Sequence, residues 1–308
     1  MNLLPQSTID RLVLARFPVN RSMHGSRHGS HRSPFTGASA EFAQHREYSP
    51  GDEPRRIDWR VLARTDRFVV KQYDQETNLR ATIILDASAS MGYCGAEAHR
   101  GPVKLSKLGH AAQLAAGFAW MLVRQGDAVG AAIYDHTIRQ RYPAASTPGH
   151  LHRILQGLAG LRPAGRSATA SVVHQLAETT PSRGLFVLFS DLLEEPSELM
   201  HALHHLRYRH HELIVCQVLA PEEVNFPFDA ATRFRDLEGN QDHCDVDPQA
   251  VRREYLRQVQ AHLSEIRQAC HQVEADYLLT TTDQPVDDVL IDFLAARHGR
   301  CAGRGGSR

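Results

Sequence analysis

The sequence predicts an α/β protein: a doubly wound, mainly parallel sheet carrying a small N-terminal α+β extension. Three observations support this. The runs Ala81–Leu85, Leu185–Phe189 and Leu213–Leu219 are apolar almost without interruption, as expected of strands buried on both faces. Segments with helical periodicity, 105–124 and 248–273 among them, separate and follow these runs. From residue 81 onward the two kinds of segment alternate, which is the rhythm of βαβ units joining parallel strands.

Taken in order, residues 7–18 read as a short amphipathic helix with Ser7 as N-cap and Ile9, Leu12, Val13 and Leu14 as its apolar stripe. Residues 20–40, rich in Ser, Gly, His and Arg, read as a mobile basic loop. Strand signals at 41–48 and 68–73 flank a polar stretch broken by Pro50-Gly51 and Pro54. After the first buried strand comes the 105–124 helix, then a hairpin of 128–134 and 137–142 turning at Asp135-His136. Helices are expected at 151–158, 169–179 and 197–209, the last capped by Ser197. Residues 221–246 read as a polar, hairpin-like insertion turning near Gly239-Asn240. Pro248 suits the first turn of the 248–273 helix. A strand at 277–281 and a helix at 286–298 close the domain. The implied organisation is an extension over 1–80, the sheet domain over 81–298 and a disordered Gly/Arg-rich tail over 299–308.

Composition narrows the function. With 35 basic and 35 acidic residues in 308, formal net charge is zero. Bulk binding to nucleic acid or anionic membranes depends on excess Lys and Arg, so neither is expected. Residues 1–18 contain Asp10, Arg11 and Arg16 and no continuous apolar core, so no secretory leader is read there. The longest apolar run, Leu108–Val123, holds His110 and Gln113 and is too short to span a bilayer. Five cysteines without a CxxC pair suit a reducing cytoplasm, which is the expected location. Trp59 and Trp120 are read as core anchors.

The sharpest chemical signal is Asp86-Ala87-Ser88-Ala89-Ser90 directly after an apolar strand. In open α/β sheets, ligands bind beyond the carboxyl ends of the strands. One carboxylate and two hydroxyls at alternate residues can turn toward one point, and hard cations prefer such oxygen ligands. The plain alternative is an Asp and two serines capping a following helix. A second apolar strand ends at Phe189-Ser190-Asp191, and Pro163-Ala164-Gly165-Arg166-Ser167 puts a hydroxyl just before a helix.

Asp86, Ser88, Ser90, Ser167 and Asp191 have the order and spacing of a metal-ion-dependent adhesion site, and here the chain resembles the von Willebrand factor A superfamily. In that family the third loop usually supplies Thr; Ser167 stands in its place, followed by Ala168. The resemblance implies that the serines bind a divalent cation directly, Mg²⁺ first and Mn²⁺ or Ca²⁺ as alternatives. The carboxylates would act largely through water, with one position left open for a partner's Glu or Asp.

A second resemblance spans most of the chain. Arg46-Glu47-Tyr48-Ser49-Pro50-Gly51-Asp52, Arg55-Arg56-Ile57-Asp58-Trp59 and Ala63-Arg64-Thr65 resemble the signature of a bacterial family known as domain of unknown function fifty-eight. So do Phe226-Pro227-Phe228, Phe234-Arg235-Asp236-Leu237-Glu238 and Val246-Asp247-Pro248. Genes of that family often neighbour those of MoxR-type AAA+ ATPases. The resemblance implies a part in assembling, maturing or activating other proteins, with such an ATPase or its client as partner. Arg46, Asp52, Arg55, Arg56, Asp58, Trp59 and Arg64 read either as a solvated, self-neutralising stretch or as an ion-pair network that braces the site or receives an acidic partner.

Enzymatic readings fare worse. A D-x-D phosphatase needs a second Asp where Ser88 stands. There is no G-x-S-x-G elbow, Walker A or G-x-G-x-x-G. His204-His205 and His210-His211 hint at zinc, but no H-E-x-x-H occurs. The sequence reading is therefore a metal-dependent binding module that is not an enzyme; a metal-dependent hydrolase built on the same cluster is the alternative. Limited proteolysis should cut within 20–40 and leave 41–298 as one stable fragment. Cleavage near residue 80 into two surviving halves would contradict this organisation.

Overall fold

The computed structural model describes residues 3–15, 17–18, 41–49, 57–74, 79–95, 106–180, 183–239 and 243–305. The expected basic loop over 20–40 lies outside them. The chain divides into two units, Met1–Met23 with Leu79–Arg308, and His24–Asn78.

The first unit begins with α1 (Gln6–Leu12), so the contacts place this helix with the sheet rather than with an extension ending at residue 80. The helix is shorter than its apolar stripe suggests. Pro5 is the N-cap, Ser7 lies inside the first turn, and Leu14 is exposed. Phe17 is buried instead, edge-on to Phe118 at 5.9 Å between ring centroids.

In the second unit, β1 (Glu41–Glu47) pairs antiparallel with β2 (Val69–Asp74). Between them in sequence lies α2 (Trp59–Thr65), a helix hidden in what reads as a polar stretch. Its start signal is Asp58, whose carboxylate accepts the N–H groups of Arg60 and Val61 at 3.0 and 3.3 Å. Trp59 is 59% exposed and is no core anchor. Trp120 is partly buried against the core, with the Arg124 guanidinium over its ring.

The first unit is built on β3 (Arg80–Asp86), β4 (Ala128–Tyr134), β5 (Ile138–Ala145), β6 (Leu185–Ser190), β7 (Glu212–Leu219) and β10 (Asp276–Thr281). Their order is β10-β7-β6-β3-β4-β5, all parallel except the antiparallel edge strand β5. A separate antiparallel ribbon pairs β8 (Thr232–Arg235) with β9 (His243–Val246). The helices are α3 (Lys107–Arg124), α4 (Pro148–Ala159), α5 (Thr169–Thr179), α6 (Pro196–Tyr208), α7 (Pro221–Asn225), α8 (Pro248–Gln272) and α9 (Val286–Gly305). Ser106, Thr147 and Asp247 cap α3, α4 and α8 through backbone N–H groups. Ser197 does not cap α6; Glu195 takes the N-cap position and Pro196 the first turn. The closing helix runs to Gly305, beyond the expected boundary at 298. Glycine in a helix costs only about 1 kcal/mol and lacks proline's clash, so the Gly-rich end does not force termination.

Strand alternation explains the two-sided winding. Leu185, Val187 and Phe189 of β6 join one core with α1, α3, α4 and α9, while Phe186 and Leu188 join the other with α5, α6 and α8. Successive side chains point to opposite faces, so a strand covered on both faces must be apolar throughout. No described helix is long and apolar enough to cross a membrane.

Asp127 fastens the entry to this sheet, its buried carboxylate accepting the Leu79 N–H at 3.0 Å. Burial raises its pKa from 3.8 to about 6, and the backbone bond offsets this only in part. With the folded value above the unfolded one, stability associated with the neutral form is present below pH 3.8 and lost as pH rises through about 6. Asp127→Asn should therefore stabilise the protein at pH 8 by up to about 3 kcal/mol. The gain should disappear near pH 4 in urea titrations across that range.

Candidate functional site

β3 and β6 are neighbours, but the chain leaves them toward opposite edges of the sheet, to β4 and to β7. Such a reversal opens a crevice beyond the carboxyl ends of the two strands. Asp86, the last residue of β3, is fully buried there. One carboxylate oxygen accepts the Ser88 N–H at 2.8 Å; the other accepts the hydroxyls of Ser167 and Ser190 at 2.8 and 2.7 Å. Burial, and then the neighbouring charge of Asp191, raise the Asp86 carboxyl to about 6 despite these donors.

The loops are drawn together by backbone bonds as well. Ala89 N–H donates to the Gly165 carbonyl and Ala164 N–H to the Ala87 carbonyl, both at 2.9 Å. Gly165 sits at φ +79°, where a side chain is strained. A Cβ on Gly92 would come 2.8 Å from Pro163, so Gly92 permits the close approach. Through this zipper Ser167 reaches Asp86, and Ser88 and Ser90 place their hydroxyls 3.2 Å apart.

Around this centre lies a shell of charge. Asp191 accepts from the Lys107 ammonium at 2.9 Å, and Lys107 also donates to Glu223 at 2.6 Å. Lys107 is fully buried. Burial alone lowers its pKa, but Asp191 and Glu223 outweigh that and raise it. Glu194 accepts the Thr169 N–H and hydroxyl at 2.8 and 2.7 Å, and the Thr169 and Ser167 hydroxyls lie 3.2 Å apart.

The insertion before α8 completes the site. Phe226, Phe228, Phe234 and Tyr255 pack ring against ring, with Phe226 and Tyr255 centroids 4.4 Å apart. The insertion is thus anchored on an aromatic cluster, not merely polar. It carries Glu238 to the loops, where its carboxylate accepts the N–H groups of Ser90 and Ser167 at 3.3 and 3.2 Å. Between the cluster and the Asp86 loops lies a cleft of about 410 Å³, lined also by Lys107, Asp191 and Glu194.

Of the residues singled out from sequence, Asp86, Ser88, Ser90 and Ser167 are joined by direct hydrogen bonds, and Asp191 is close enough to perturb Asp86. Asp58 caps α2, and Trp59 and Arg64 are exposed in the second unit. Asp52, Arg55, Arg56 and the Arg46 side chain lie outside the described residues, so the ion-pair network is outside them too. Sequence reasoning missed Ser190, Thr169, Lys107, Glu194 and Glu238 as site residues. Ser190, at a strand's carboxyl end, and Glu238, at the end of the Phe234-Arg235-Asp236-Leu237-Glu238 motif, were discoverable by position. Lys107 was not: a lysine in the first turn of a helix usually faces solvent.

The donor set suits a hard cation. Mg²⁺ holds oxygens at about 2.1 Å, so ligands at right angles lie roughly 3.0 Å apart, near the Ser88–Ser90 separation of 3.2 Å. No group of three or more His, Cys, Asp or Glu side chains among the described residues is arranged to hold a metal. A cation here would therefore depend on the hydroxyls of Ser88, Ser90 and Ser167 as much as on Asp86 and Asp191. The paired histidines make no such set: His205 meets His174, Nδ1 to Nδ1 at 2.9 Å, and His211 is buried edge-on to Phe186.

Fold and site together define a doubly wound α/β protein with an oxygen-lined crevice at its topological switch point. The family described as "Protein of unknown function DUF58" matches residues 44–265, and the chain belongs to that family. Uncharacterized protein Rv1480 of Mycobacterium tuberculosis (strain H37Rv) is 30% identical over 290 residues, covering 92% of this chain and 88% of that protein. Among solved structures, the conserved hypothetical protein BatB from Bacteroides thetaiotaomicron aligns over 71% of this chain and 98% of its own, with 17% identity and a TM-score of 0.48. The VWA domain of SpRpn10 aligns over 70% and 94%, with 11% identity and a TM-score of 0.41.

Removing the ammonium would leave the buried Asp191 without its ionic partner. Lys107→Ala should therefore destabilise the protein by about 3–5 kcal/mol, measured by urea denaturation at pH 7.

Proposed function

We propose that this protein is a binding module in which Asp86, Ser88, Ser90, Ser167 and Asp191 hold a divalent cation, Mg²⁺ first, that captures an acidic side chain of a partner. The partner class that fits the family resemblance is a MoxR-type AAA+ ATPase or the protein that ATPase remodels. The module itself catalyses no reaction in this reading. The observation that carries the proposal is the convergence of the Asp86 carboxylate and four serine hydroxyls, from the end of β3 and the loop after it, the end of β6 and the loop before α5, at the switch point. Hydroxyl ligands donate little charge, so a cation they hold stays electrophilic toward one more carboxylate. The bound ion supplies that Lewis acidity. The protein's residues fix its position and exclude competing donors, and no His or Cys among the described residues lines the cleft.

The hydrolase alternative draws on the Ser167 hydroxyl donated to Asp86 at 2.8 Å, a hydroxyl–carboxylate pair of the kind that activates nucleophiles. Phosphatase and esterase screens with Mg²⁺ and Mn²⁺ address it, and turnover abolished by Ser167→Ala would replace the binding reading.

Mg²⁺ or Mn²⁺ at a hundredfold excess over its Kd should stabilise the fold by about 2.7 kcal/mol, a shift of several degrees in Tm. Ser88→Ala with Ser90→Ala should remove the shift while circular dichroism stays native. An unshifted wild type overturns the cation. Recovery of the ATPase or its client in pull-downs should be lost in EDTA and in the double variant.

A further inference from the structure

Glu238 is an acid already seated beside the groups that the binding reading assigns to an incoming acid. Its carboxylate spans the N–H groups of Ser90 and Ser167, which lie 148 and 71 residues away in the chain. These are the residues whose hydroxyls belong to the cation's donor set, so the amide pair and the donor set open onto the same cleft. Arg166 adds a cationic donor, its Nε bonded to the Glu238 carbonyl at 2.9 Å.

The insertion is held at its base by aromatic packing and at Glu238 by polar contacts alone. Phe226, Phe228 and Phe234 lock the base onto Tyr255 of α8. Toward the tip, β8 and β9 pair only with each other among the described strands. Leu237 is 44% exposed, and both Glu238 bonds to the loops are long. A two-stranded ribbon adds little stability of its own, so Leu237 and Glu238, beyond the Phe234 anchor, can lift while the aromatic base stays in place.

We propose that the Ser90–Ser167 amide pair, flanked by Arg166, is a carboxylate receptor whose resident ligand is the chain's own Glu238. An external ligand displaces it, and the class that fits is a peptide bearing an acidic residue next to an apolar one, the chemistry of Leu237-Glu238 itself. This rests on the reading that the site captures an acidic partner, and adds that the protein carries its own competitor. A tethered competitor acts at an effective concentration near millimolar and so suppresses weak external acids.

The test uses a fluorescein-labelled peptide of residues 232–239 as probe, titrated by anisotropy against the full chain. Wild type, Glu238→Ala and the isosteric Glu238→Gln are compared, each in Mg²⁺ and in EDTA, with folding checked by circular dichroism. The probe should bind both variants at least about tenfold more tightly than wild type. A probe carrying the Glu238→Gln substitution should bind none of them. Equal affinity for wild type and both variants in both buffers overturns the receptor, even if the thermal shift upholds the cation. Equal binding of the Gln probe overturns it as well. Tightening that persists in EDTA supports the amide receptor and removes the cation from the binding reading. Tightening seen only with Mg²⁺ supports both.

Discussion

The buried Asp86 carboxylate is the constraint on which the site depends. A carboxylate taken out of water is tolerable only if nearly every lone pair meets a donor. Here the donors are the Ser88 amide and the hydroxyls of Ser167 and Ser190, drawn from three separate segments. Satisfying one charge therefore fixes the loop after β3, the end of β6 and the entry to α5 in a single arrangement. Asp191 nearby opposes ionisation of Asp86 and is itself held by Lys107, so the crevice is a chain of coupled charges rather than a set of independent ion pairs.

The two-faced sheet makes that arrangement rigid. β3 and β6 are covered by helices on both sides, and their carboxyl ends deliver Asp86 and Ser190 from fixed positions. The insertion before α8 is a different kind of element. Its aromatic base packs like a core, while its tip reaches the site through a few polar contacts. The crevice is thus rigid and oxygen-rich, and its acidic cover rests on polar contacts.

Much of this was legible in the sequence because it is local. Continuous apolar runs marked β3, β6 and β7, and Pro248 marked the start of α8. The D-x-S-x-S spacing after a buried strand located the centre of the site. Local signals also misled where tertiary context overrode them. The stripe at Val13 and Leu14 reads as helix, yet α1 stops at Leu12 and Phe17 takes the core position. α2 went unseen because its short run of residues has no buried face, leaving only the Asp58 cap as a signal.

The sequence by itself determined the fold class, the strand order's raw material and the loops that bring Asp86, Ser88, Ser90 and Ser167 together, because hydrophobic period and loop spacing are properties of neighbouring residues. Only the tertiary structure decided which distant groups share one charge. Ser190 on Asp86, Lys107 between Asp191 and Glu223, and Glu238 across Ser90 and Ser167 join residues 71 to 148 positions apart, in segments of unrelated pattern. Such pairings are set by how the strands are ordered and how the insertion folds back. Hydrogen bonds of this kind depend on distances that no spacing along the chain encodes.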